Sequence, residues 1–243
     1  KDENAFKSCI DKIVEINSKS APGELSAATT DRVDISKYDL VALAMQEPQY
    51  RSPAISNLLD GVAKAKLPCM SIMNMPPLPY LARIPGLDID LLAKCYTDPT
   101  VWENFDPALV TLCSPDAQAF RPPDEKINLL QVGLPTNFKV ARFDSDQHTS
   151  ILRQLESDID GIRYKFKGEQ IELPVKLRVH DSLFIPLAKW SMLLTGNYRC
   201  VQESEMQPIK DAVHNDLEIS KKVYNWVCEV CKTIGAGEND QVP

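Results

Sequence analysis

Two short apolar runs with an amphipathic segment between them constrain this chain more than any other feature. Residues 39–45, DLVALAM, are apolar after the opening Asp and bounded by polar residues, the pattern of a strand buried on both faces. Residues 53–65, PAISNLLDGVAKA, follow Ser52 as a candidate N-cap, place Pro53 at the first helical position, and repeat Ile55, Leu58, Leu59 and Val62 at helical spacing. Residues 68–73, PCMSIM, are a second apolar run ending at Asn74. Strand, helix and strand in this order predict a right-handed βαβ unit with parallel strands. Ligands of such sheets sit beyond the carboxyl ends of the strands, so Gln46 and Asn74 fall on the ligand side. The Asn74 amide can donate and accept toward a ligand there, or it can cap the turn into the prolines that follow.

The rest of the chain extends this pattern. Residues 4–17 put Phe6, Ile10, Ile13 and Val14 on one face of an amphipathic helix. Residues 75–86 hold Pro76, Pro77, Pro79 and Pro85 and cannot be regular throughout, with Pro85-Gly86 as a turn. A short helix is predicted over 88–95, and apolar runs at 108–113, 127–132 and 138–143 read as strands, the last ones antiparallel at the sheet edge. Residues 147–162 return to helical period through Ile151, Leu155 and Ile159. Residues 163–179 alternate around Gly168-Glu169, which predicts an inserted hairpin. From 208 to 234, Ile209, Val213, Leu217, Tyr224, Val227, Cys231 and Ile234 predict one long helix stopped by Gly235. The expected fold is α/β: a partial Rossmann-like sheet domain over 1–145, its first βαβ absent, and a mainly helical domain over 146–243, packed together.

The segment 180–200, HDSLFIPLAKWSMLLTGNYRC, places one Lys inside an apolar helix. Leu183, Leu187, Trp190 and Leu194 mark a buried stripe, Lys189 lies beside it, and Asn197 falls two turns further on nearly the same face. A Lys held near apolar surface can aim its ammonium at a substrate carbonyl or carboxylate. The plainer alternative is a snorkelling Lys with a buried stem and a wet head.

Composition narrows the function classes. With 44% hydrophobic and 25% charged residues the chain has the balance of an ordinary globular protein. A net charge of -7 excludes a general nucleic-acid binder, because phosphate binding needs a dense basic face. Seven scattered cysteines read as small hydrophobes in a reducing compartment, the cytoplasm or an organelle matrix. No apolar run approaches membrane-spanning length, and the start at Lys1 reads as a processed chain or a part of a longer product. Cys228 and Cys231 form a lone CxxC in mid-helix, and His148, His180 and His214 are widely separated, so no metal site is expected. A dinucleotide GxGxxG is missing, since Gly235-Ala236-Gly237 follows a helix rather than a strand.

Taken in order, DLVALAMQ (39–46), SIMN (71–74), PLAKWSMLLTGN (186–197) and the long helix after 208 resemble the ketopantoate reductase family. That family belongs to the dehydrogenases with a 6-phosphogluconate dehydrogenase-like helical C-terminal domain. The resemblance implies NADPH-dependent reduction of a 2-keto acid, with NADP as cofactor and Lys189 as proton donor to the keto oxygen. It further implies substrate contacts from Asn197 and from Asn74, the latter also near the nicotinamide, and puts Gln46 where a cofactor-facing Lys is usual. Leu193 stands where the family often has another Asn. The family's glycine-bearing first βαβ would precede Lys1, and its late acidic substrate residue would follow Pro243. The alternative expectation is a non-catalytic accessory or structural subunit of a larger assembly on a dehydrogenase-like fold. Its contact loops would be the Pro-rich segments 75–86 and 115–123, and its partners other proteins or a second copy.

Overall fold

A computed structural model describes residues 26–114, 119–120, 131–132, 136–166, 168–172 and 175–240. The helix expected over 4–17, residues 127–130 of an expected strand and most of the segment 115–123 lie outside the described residues. The protein has an α/β fold with a helical C-terminal region.

Strand β1 (Val41–Leu43), helix α1 (Pro53–Lys64) and strand β2 (Cys69–Ile72) realise the expected strand-helix-strand unit. The two strands pair in parallel, with Val41 opposite Cys69 and Leu43 opposite Ser71. Short helices α2 (Leu78–Leu81) and α3 (Ile89–Ala93) occupy the proline-rich stretch and its sequel, and Asp88 caps α3 by accepting from the Leu91 N–H at 2.9 Å. Strand β3 (Val110–Ser114) follows, then β4 (Ala119–Phe120) and β5 (Gln131–Val132), a two-stranded pair of their own, and β6 (Thr136–Ala141). Helix α4 (Asp146–Gly161) leads to the hairpin β7 (Arg163–Phe166) and β8 (Glu169–Glu172), and to β9 (Val175–His180).

The main sheet has the order β1-β2-β3-β6-β9. β1, β2 and β3 run parallel, β6 is antiparallel to β3, and β9 is parallel to β6. Two expectations change here. Among the described residues β1 is an edge strand with Ala42 exposed, so the DLVALAM run is not buried on both faces. β6 is an inner strand, and the edge belongs to β9, which sequence reading had assigned to the hairpin. A period of two is common to a hairpin and to a sheet edge, so alternation alone cannot choose the partner. The sheet therefore runs across residue 145, and the mainly helical part begins at 185.

Strand alternation divides the core between the two faces. Cys69, Val110, Leu112 and Ala141 pack on one side with Leu59 and Val62 of α1 and with Leu187, Val227 and Cys231 of the C-terminal helices. Met70, Cys113, Val140 and Leu177 pack on the other with Phe143 and Leu152 of the α4 layer. Arg83 bolts the base of the sheet: its guanidinium donates to the carbonyls of Val110 at 3.0 Å and Arg142 at 2.9 Å, and stacks 5.6 Å from the Tyr80 ring centre. The buried Tyr80 hydroxyl donates to the Leu183 carbonyl, tying α2 to the start of the C-terminal helices.

Those helices are α5 (Ile185–Ala188), α6 (Trp190–Met192), a π-turn (Leu193–Asn197), α7 (Tyr198–Cys200), α8 (Ile209–His214) and α9 (Leu217–Thr233). The single helix expected over 208–234 is thus two, because the Asp216 carboxylate accepts from the Ile219 N–H at 2.9 Å and starts a new helix there. Gly235 ends α9 at φ 110°, with its own N–H on the Lys232 carbonyl and the Ala236 N–H on the Cys231 carbonyl.

Candidate functional site

A cavity of about 470 Å³ opens where the carboxyl ends of β1 and β2 meet the C-terminal helices. The strand side supplies Gln46, Glu47, Pro48, Asn74 and Met75. The helix side supplies Trp190, Leu193, Leu194 and Tyr198, with Trp226 from α9. This is the place where parallel strands leave backbone and side chains converging on a ligand.

The strand ends are joined through Asn74. Its N–H donates to Gln46 Oε1 at 3.3 Å, and its carbonyl accepts from Trp190 Nε1 at 3.2 Å, which fastens the helical wall to the end of β2. Its side-chain Oδ1 is buried and has no hydrogen-bond partner among the described residues. An acceptor left in that state costs about 1–3 kcal/mol. Gln46 starts a 3₁₀ turn over Glu47–Gln49, with Pro48 inside it, and that turn directs Glu47 inward. Glu47 is only 6% exposed, and its two oxygens accept from the N–H and the hydroxyl of Thr97, each at 2.8 Å.

Two of the four expected site residues, Gln46 and Asn74, line this cavity, while Lys189 and Asn197 do not. Lys189 is half-buried at the junction of α5 and α6, beside the end of β3. Burial dominates at the Cys113 thiol, which stands raised to about 12 although the charge of Lys189 draws it down in part. Cys113 is accordingly a buried thiol rather than a nucleophile. Asn197 closes the π-turn and is half-buried. A π-turn admits one extra residue into the repeat, so Tyr198 follows Trp190 and Leu194 on the cavity stripe where regular spacing had put Asn197. Helical contacts hold the turn in place: Thr195 Oγ1 donates to the Ser191 carbonyl at 2.6 Å, and Gly196 packs so closely on α8 that a Cβ there would lie 3.2 Å from Ile209 Cδ1.

Sequence reading missed Glu47, Tyr198 and Trp226. The signal for Trp226 was its place off the buried stripe of α9, which holds Ser220, Val227 and Cys231. Glu47 carried no signal beyond its place in the turn after β1. The CxxC pair lies away from the cavity, with Cys231 raised by burial, and the described residues hold no cluster of three or more metal-ligating side chains. His148 contacts Ser145 Oγ through Nδ1 at 2.9 Å, a local contact at the start of α4. No described helix is long and apolar enough to cross a membrane. Comparison with protein-family models, curated proteins and solved structures gives no match to this chain.

Proposed function

We propose that this crevice binds the substrate of a ketopantoate reductase-like enzyme, a small 2-keto acid. The observation that carries the reading is the position of the crevice at the carboxyl ends of the parallel strands β1 and β2, where Gln46 and Asn74 line it. In this reading Gln46 and Asn74 orient the ligand from the strand side. Lys189, one residue before the cavity-lining Trp190, gives its ammonium proton to the keto oxygen at the junction with β3. The resemblance implies NADPH as the hydride source. The turns after β1 and β2, Gln46-Glu47-Pro48 and Asn74-Met75-Pro76, hold no glycine, and the positive-φ glycines Gly86, Gly168 and Gly235 lie elsewhere. These residues do not fit a dinucleotide pyrophosphate, so they support ligand binding and proton donation rather than hydride delivery.

The test is turnover of NADPH with a panel of 2-keto acids, accompanied by melting curves with and without cofactor. Activity should appear and fall by about two to four orders of magnitude in Lys189→Ala. Unchanged turnover in that variant removes Lys189 from the mechanism. A second reading, an accessory subunit, draws on the exposed apolar side chains Met192, Val201, Met206, Ile209, Leu217 and Ile219 of the helical region. No thermal shift at millimolar NADPH, together with a stoichiometric co-purifying protein, would favour it.

A further inference from the structure

Three aromatic side chains share the cavity with one buried carboxylate. Trp190, Tyr198 and Trp226 line it together, although Tyr198 is 57% and Trp226 58% exposed, so these rings present much of their surface to whatever enters. Glu47 is also among the residues that line it. Its oxygens are held by Thr97, and no Lys, Arg or His makes an ion pair with it among the described residues. The described residues that line the cavity include no cationic side chain at all. A buried carboxylate is costly when no positive charge approaches it, and aromatic faces carry the negative end of a quadrupole. Both features repel an anion and attract a cation.

We propose that the crevice takes an organic cation, an alkylammonium group held against Trp190, Tyr198 and Trp226 with the Glu47 carboxylate as its counter-charge. The inference rests on the crevice being the ligand site, but not on any redox chemistry there. It sharpens the substrate class: the 2-keto acid carries an ammonium group at the end remote from its carbonyl. The ammonium lies in the aromatic crevice, and the keto-acid end extends toward Lys189. Recognition of quaternary ammonium groups by aromatic cages works through the same attraction, which strengthens as the cation sheds water.

Calorimetric titration of the full chain with choline and with 3,3-dimethyl-1-butanol tests it, since the two differ mainly in one positive charge. Choline should bind about tenfold or more tightly than its neutral isostere. Trp226→Ala should weaken choline by about the same factor while Trp226→Phe retains most of the affinity, and because the side chain is largely exposed the melting temperature should hold in both. Glu47→Gln should narrow the gap between choline and the isostere. Equal binding of the two ligands, or no choline binding at ~100 mM, a concentration that detects even contacts far weaker than a well-formed cation–π cage, overturns the proposal. Failure of the reductase reading would show instead as absent NADPH turnover with choline selectivity intact.

Discussion

Arg83 shows how much a single side chain can hold in this fold. Its side chain is 5% exposed, burial lowers the guanidinium below its ordinary range, and it still donates to carbonyls that follow two different segments, Val110 in β3 and Arg142 after β6. Replacing it with Met keeps the apolar stem and leaves both carbonyls in need of new donors. Arg83→Met should therefore destabilise the protein by about 2–4 kcal/mol, read as a lower denaturant midpoint with an unchanged slope. His180, at the end of β9, predicts a pH dependence. Burial is the largest cause lowering its pKa from 6.5, followed by the charge of Lys139, while Glu156 and Asp181 raise it. The unfolded chain then binds the proton more tightly than the folded one, so stability is full above about pH 6.5 and falls as pH drops through the lower folded value. His180→Asn should flatten the melting temperature between pH 7 and pH 5. An equal slope in the variant would place the dependence on other groups. At this scale Asn74 and Gln46 were legible because strand ends in a parallel sheet are ligand positions by geometry. Glu47 was not, because a carboxylate's burial depends on Thr97, fifty residues away in sequence, donating to it.

Among the elements, periodicity located most helices and strands and failed where one residue resets the repeat. The apolar positions of 208–234 fit one helix, yet Asp216 caps the second half and the chain breaks before it. Removing that cap in Asp216→Ala should cost about 1 kcal/mol, seen as a lowered melting temperature and loss of protection at the Ile219 amide in hydrogen exchange. The π-turn is the more consequential reset. Its extra residue rotates Tyr198 into the crevice and Asn197 out of it, and no sequence period of 3.6 could have announced that. The CxxC of α9 was judged by its place in mid-helix, and the structure leaves it apart from the crevice.

For the whole molecule, the βαβ unit and the helical C-terminal region were readable because apolar runs and amphipathic stripes are local, whereas strand partnership is not. β9 joined the sheet rather than the hairpin because Leu177 and its neighbours complete a face shared with Met70, Cys113 and Val140. The C-terminal helices in turn complete the opposite face through Leu187, Val227 and Cys231, with Tyr80 and Asn74 as polar fasteners between the two regions. The crevice therefore sits on a seam whose two sides are sewn together by buried contacts, so it is held open by structure rather than by chance.

The strand order β1-β2-β3-β6-β9 has one further property: along the sheet, each strand comes later in the chain than the neighbour before it. A growing polypeptide can thus lay each new strand on the exposed flank of those already paired, with no insertion between formed neighbours and no passage of chain through a closed loop. The crevice, which needs β1, β2 and the last helices together, is complete only when synthesis has reached Trp226, so this protein can assemble its scaffold during translation but forms the crevice only when almost the whole described chain has emerged.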